Sequence, residues 1–194
     1  MDDFSAIRNF ISRFVSFSEE EWNAHQAFLS KRSIKKGGYL LRAGEVCNYV
    51  TFINKGFFRI YHTVGDEERT ANFAFDGNYV TDYSSFVSRL PSADNIVAME
   101  DAEVLNLHYD DLQKAYEQYP VWQKFGRKVA EYIILFMADR NRSLLFLTPE
   151  QYYIKVMKDR PKVIANVPLK YIASYLGVTP EALSRIRKRM SVKA

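Results

Sequence analysis

The sequence predicts an α+β protein in three parts: an N-terminal antiparallel β-roll of jelly-roll type with leading helices, a long helix, and a C-terminal helix-turn-helix unit. Three observations carry that expectation. Between Ser33 and Leu107, short β-branched and aromatic runs are broken by turn residues at intervals of roughly ten. From Pro120 to about Leu147 apolar residues recur three or four apart without a break. The charge then changes sign: residues 1–150 hold 17 Lys+Arg against 21 Asp+Glu, net −4, and residues 151–194 hold 10 against 2, net +8.

The elements follow in order. Phe4, Ile7, Phe10, Ile11 and Phe14 share helical spacing, and Ser18 followed by Glu19, Glu20 and Glu21 gives a capped, dipole-matched start to a second helix. Strand-like runs such as Tyr49 to Ile53 and Phe57 to Tyr61 lie between turn signals at Gly37-Gly38, Gly44, Lys55-Gly56, Gly65-Asp66 and Asp76-Gly77. Pro120 opens the long helix, which at about 1.5 Å per residue extends about 40 Å. Its apolar positions, Trp122, Phe125, Val129, Ile133 and Phe136 with the run Tyr132 to Met137, exceed what one small roll covers. A parallel seam with a second copy is one expectation; burial against the protein's own body is the other. Thr148 then caps a new helix with Pro149 at its first position. The expected parts are 1–117, 118–147 and 148–194.

Residues 166–190 contain the clearest functional pattern. Pro168 suits the first turn of a short helix whose apolar side is Leu169, Ile172, Ala173 and Leu176, and Gly177 permits a tight turn. Thr179 caps a second helix, with Pro180 first and Glu181 near its positive end. Ala182, Leu183 and Ile186 face inward, which leaves Pro180, Glu181, Ser184, Arg185 and Lys188 outside. In such a layout the second helix reaches base edges in the major groove of double-stranded DNA. Arg185 fits guanine and Glu181 a cytosine amino group; Arg187, Lys188, Arg189 and Lys170 suit phosphates. The plainer alternative is a helical corner with a solvated basic end.

These parts, in this order, resemble the Crp/Fnr family of bacterial transcription regulators. Leu40 to Glu45, followed by Val50 to Gly56, is similar to the family's strand, Gly-Glu turn, strand and Lys-Gly turn; Ala173 to Arg185 is similar to its DNA-reading unit. The resemblance runs from about residue 18 to 190. It implies a cyclic-nucleotide-binding-like roll, a homodimer joined through 118–147, a near-palindromic site read by helix 180–190, and contact with RNA polymerase. It also implies that Thr179, Pro180 and Ser184 sit beside the base-reading Glu181 and Arg185. Its effector pocket falls near Asp82, Ser84, Ser92, Ala93 and Met137. There the chain departs from the nucleotide binders. Thr81-Asp82 stands for their Gly-Glu pair, Ser92-Ala93 for the Arg-Ser pair that holds the cyclic phosphate, and Met137-Ala138 for a polar pair on the long helix. Without the arginine the phosphate loses a charge-assisted partner. Cyclic AMP is not the expected effector; another small molecule, or none, remains open. Arg89 could replace that arginine only if its loop refolds.

Other functions find less support. The single Cys47 rules out an internal disulfide and a four-cysteine iron–sulfur cluster. His25, His62 and His108 are spread too widely for a metal site, and no catalytic triad, phosphate loop or paired-acid motif stands out. No enzyme activity, metal or cofactor is expected. No apolar run approaches the length of a membrane span, and Asp2 and Asp3 stand where a signal peptide is basic, so the expected location is the cytoplasm. The chain ends soon after Arg187, which leaves little room for a β-hairpin wing. The competing reading is a ligand-sensing module whose basic tail binds a protein or nucleic acid without sequence preference.

Overall fold

The computed structural model describes residues 4–193. Helix α1 (Ser5–Ser12) presents Ile7 and Ile11 inward. Helix α2 (Glu19–Ala27) begins with a reciprocal capping box in which Ser18 Oγ accepts from the Glu21 N–H at 3.2 Å and the Glu21 carboxylate accepts from the Ser18 N–H at 2.7 Å. The roll comprises β1 (Leu29–Ile34), β2 (Tyr39–Leu41), β3 (Tyr49–Lys55), β4 (Phe57–Val64), β5 (Glu67–Phe75), β6 (Tyr79–Val80), the short α3 (Tyr83–Ser88), β7 (Asp94–Ala98) and β8 (Ala102–His108). Then come α4 (Tyr109–Gln118), α5 (Pro120–Phe146), α6 (Pro149–Asp159), α7 (Pro161–Asn166), α8 (Leu169–Leu176) and α9 (Pro180–Lys193).

The strands form two four-stranded sheets, ordered β1-β8-β3-β6 and β2-β7-β4-β5. In the first, β8 is one of the two inner strands. It pairs antiparallel with β1 from Leu29↔Leu107 to Ile34↔Ala102, and with β3 through Thr51↔Asn106 and Phe52↔Leu105. The strand region therefore begins at Leu29, four residues before the position expected from the sequence. Residues 30–33 are exposed on an edge strand and show no alternation. Helix α7, which the sequence reading did not place, starts on Pro161 and has no side-chain cap.

The chain forms two compact units. Residues 1–60 and 73–132 make one; residues 61–72 and 133–194 make the other. In the first unit α1, α2 and the start of α5 pack on Phe52 and Leu105, with Ile7, Ile11, Trp22, Trp122 and Phe125 completing the core. His25 lies at its centre, stacked on Trp122 with ring centroids 4.2 Å apart. Neither of its ring nitrogens has a hydrogen-bond partner among the described residues. Burial pulls its pKa from 6.5 to about 4, so the ring is neutral. Gly126 sits mid-helix because a Cβ there would lie 2.1 Å from the Tyr116 hydroxyl.

The second unit is built around Tyr152, Val156, Val163, Ile172, Leu176, Leu183 and Ile186, all buried. Arg140 Nη1 donates to the Tyr152 hydroxyl at 2.9 Å and its guanidinium lies 4.2 Å from the Tyr175 ring centre. Burial raises the Tyr175 phenol, but the Arg160 and Arg140 charges, with hydrogen bonds from Tyr152 and Arg160, outweigh it and hold the group below the usual tyrosine range. In the part of α5 that belongs to this unit, Ile134, Leu135, Met137, Leu144, Leu145 and Phe146 are exposed, Leu135 at 70% and Phe146 at 77%. No helix among the described residues is long and apolar enough to cross a membrane.

Candidate nucleic-acid interface and roll cavity

Two helices and a three-residue turn build the basic site. Helix α8 stops at Gly177, whose φ of 73° is the left-handed conformation that ends a helix. The Val178 N–H returns to the Ala173 carbonyl at 3.0 Å. Thr179 Oγ1 then accepts from the Ala182 N–H at 3.2 Å and its carbonyl from the Leu183 N–H at 3.1 Å, so α9 starts at Pro180. Ile172, Ala173 and Leu176 from α8 meet Leu183 and Ile186 from α9 in the buried corner. Ala182, expected inside, is half-buried.

The opposite side of α9 brings Pro180, Glu181, Ser184, Arg185 and Lys188 together on an exposed face, with Arg187 exposed as well. The Glu181 carboxyl is held below the usual range, first by its own backbone N–H, then by the Thr179 hydroxyl, with a contribution from the Arg185 charge. A carboxylate and a guanidinium thus stand one helical turn apart. Lys170, exposed on α8, lies 4.8 Å from the Tyr171 ring centre. Arg189 is more committed: its Nε and Nη2 donate to Glu150 Oε2 at 3.3 and 3.0 Å, tying α9 to the first turn of α6. No local pattern announces that pair, because its members are 39 residues apart.

The roll unit holds a cavity of about 420 Å³. Thr51, Asn106, Cys47, Thr81, Leu41 and Ile96 are among the residues that line it. Thr51 Oγ1 donates to Asn106 Oδ1 at 2.8 Å, and these side-by-side residues of β3 and β8 are only 2% and 5% exposed. The Cys47 thiol reaches the Tyr49 carbonyl at 3.4 Å and Thr81 Oγ1 at 3.3 Å. Sequence reasoning passed over this lining. The signal available was a pair of polar side chains on the inward positions of two otherwise apolar strands.

The residues expected at an effector pocket serve other purposes. Asp82 caps α3 by accepting from the Ser84 and Ser85 N–H groups at 3.1 and 3.2 Å. Ser84 is exposed, as is Ala93. Ser92 Oγ closes its own turn, accepting from the Asp94 N–H at 2.9 Å. None of these four lines the roll cavity, although their neighbour Thr81 does. Met137 lies exposed on α5, within the second unit. Arg89 has φ of 61° and is fully engaged: Nη1 donates to the Cys47 and Phe86 carbonyls at 2.8 and 3.0 Å, Nη2 donates to Asn48 Oδ1, and the guanidinium stacks 4.1 Å from the Tyr109 ring centre. No group of three or more His, Cys, Asp or Glu among the described residues could hold a metal ion.

Comparison with known proteins adds a matched domain and a fold. Residues 31–119 match the family model of the cyclic nucleotide-binding domain. No curated protein matches the sequence significantly. Among solved structures, FixK2 from Bradyrhizobium japonicum is 19% identical, covers 85% of each chain and superposes with a TM-score of 0.72. A putative transcriptional regulator of the Crp/Fnr family from Eubacterium rectale is 12% identical over all of this chain and 89% of its own, with a TM-score of 0.72. The catabolite activator protein of Thermus thermophilus is 19% identical over 93% of this chain and 86% of its own, with a TM-score of 0.58. At these identities the likeness is one of fold.

Proposed function

We propose that this chain, which carries a cyclic nucleotide-binding-type domain in the fold of the Crp/Fnr regulators, is itself a DNA-binding transcription regulator of that type. The observation that carries the reading is the outward face of α9, where Glu181 and Arg185 stand one turn apart behind the Thr179 cap and Lys188 and Arg187 follow. Arg185 takes a guanine edge, Glu181 accepts from cytosine, and Lys188, Arg187 and Lys170 meet phosphates. Arg189 joins them only by leaving Glu150. The apolar face of α5 is the seam of a homodimer, so the operator is near-palindromic. Such a regulator works in the cytoplasm, where DNA and RNA polymerase are its partners, and it performs no catalysis.

The effector, if one binds, is not cyclic AMP. At the position expected to meet the phosphate, Ser92 is closed on its own turn and Ala93 offers no donor side chain, while Arg89 is tied to Cys47, Phe86 and Asn48. A genomic binding selection tests the proposal. We expect one preferred near-palindromic sequence, and Arg185→Ala should cost about 1–3 kcal/mol and relax one base pair in each half-site. A selection without preference, unchanged binding in Arg185→Ala and a steep salt dependence would instead support a tail that grips nucleic acid nonspecifically.

A further inference from the structure

Strand register places two donors side by side in the roll cavity. Arg32 of β1 pairs with Val104 of β8 and Ser30 with Asn106, so Arg32 and Asn106 are diagonal neighbours on the inward face of the first sheet, with Cα atoms about 7–8 Å apart. Both line the cavity. Thr51, beside Asn106 on β3, donates to its Oδ1 at 2.8 Å, which leaves the amide nitrogen of this 5% exposed residue to the cavity, without a partner among the described residues. A buried donor so placed is costly until an acceptor reaches it. Arg32 stands at the mouth, exposed. Its Nη2 donates to the Tyr39 carbonyl of β2 at 3.2 Å, which holds the guanidinium across the gap between the two sheets, and no carboxylate among the described residues pairs with it. The second sheet contributes Leu41 and Ile96 to the wall, and β6 contributes Val80, all buried. Glu45, the other charged residue of the lining, is committed to its own turn, where Oε2 accepts from the Arg42 N–H at 2.9 Å.

We propose that this cavity binds a small aliphatic carboxylate, its two oxygens between the Arg32 guanidinium and the Asn106 amide and its hydrocarbon part against Leu41, Val80 and Ile96. The volume of about 420 Å³ lies near the lower end of small-molecule sites, which span roughly 300–1,000 Å³. A guanidinium and an amide nitrogen together offer donors to both oxygens of a carboxylate, and the charge-assisted bond from the guanidinium is the stronger of the two. The apolar wall then rewards a hydrocarbon body and disfavours a ligand that is hydrated all round. A phosphate dianion fits less well, because one cation would have to balance it with Glu45 in the same lining. An amine would have only the carboxylate that the Arg42 N–H already holds. The site is apart from the positions where the resemblance puts a nucleotide, since Asp82, Ser84, Ser92 and Ala93 are not in its lining. It lies wholly within the first compact unit, so its assignment does not depend on DNA reading by α9.

Calorimetric titration of the full chain tests this, using aliphatic acids from butyrate to octanoate, straight and branched. Acetate, isovaleramide, isoamylamine and inorganic phosphate are titrated beside them. At least one acid of the series should saturate a single site per chain, and its amide, the amine, acetate and phosphate should each bind at least about tenfold more weakly. Arg32→Gln removes the cation, and Asn106→Asp keeps an acceptor for Thr51 while setting a like charge against the ligand; each should weaken the acid by about tenfold or more. Because Arg32 is exposed at the rim, its variant keeps the test available even where Asn106→Asp fails to fold. In nitrogen-15 NMR spectra the Asn106 side-chain amide signals should move as the acid is added. No saturation by any acid of the series would overturn the proposal, as would equal binding of acid and amide, tighter binding of phosphate, or an Arg32→Gln protein that binds as wild type does. A genomic selection without sequence preference would overturn the proposed function and leave these titrations as they stand.

Discussion

His25 offers a test of how the first unit is held together. The unfolded chain takes up a proton on this ring near pH 6.5, whereas the folded protein resists until about 4. That difference corresponds to ~3 kcal/mol of preference for the neutral ring. The sign follows from proton uptake. Between those pH values the unfolded state binds the extra proton, so the contribution is fully present above pH 6.5, declines through the window, and is gone below about 4. Replacing His25 with Phe keeps an aromatic ring against Trp122 and removes the titration. It also removes two buried nitrogens that have no partner among the described residues, so stability at pH 7 should rise by ~1 kcal/mol. Urea denaturation at pH 7 and pH 4.5 provides the assay. Wild type should lose ~2–3 kcal/mol more than His25→Phe across that interval. Equal losses in the two proteins would refute the reasoning, because they would mean that the ring is protonated in place or is reached by water.

Two further predictions concern α5. Gly126→Ala should lower stability by ~1–2 kcal/mol despite the better helix propensity of alanine, because the new methyl meets the Tyr116 ring as well as its hydroxyl; thermal melts measure this, and Tyr116→Phe should recover part of the loss. Leu135→Glu places a charge on the exposed apolar face, and the dimer seam proposed there predicts a monomer for this variant and a dimer for wild type in sedimentation equilibrium, with circular dichroism unchanged.

What could be read from the sequence was local or periodic. Pro120 and the three-to-four spacing placed a helix that runs to Phe146, and Ser18, Thr148 and Thr179 each proved to be side-chain caps. Those signals arise within a few residues of one another. The order of strands, turns and helices also placed the fold class. Features that depend on distant pairing were hidden. Nothing near Ser174 announces its bond to the Thr70 N–H 104 residues earlier, and nothing near Arg189 announces Glu150. The cavity lining was missed for a related reason: Thr51 and Asn106 become neighbours only through the register of β3 and β8. Arg89 was recognised as a charge near the expected pocket, but its sequence neighbourhood could not show that Cys47 and Asn48 already hold it.

Cys47 is the only thiol in the chain, and it is buried in the cavity wall with its sulfur against Tyr49 and Thr81. An alkylating reagent can reach it only when that wall opens, and each molecule takes up a single label. The native protein therefore contains its own clock: labelling rate divided by the rate for a free thiol gives the fraction of time the roll stands open. Any small molecule that fills the cavity should slow that clock, so candidate effectors can be ranked without first knowing a DNA site.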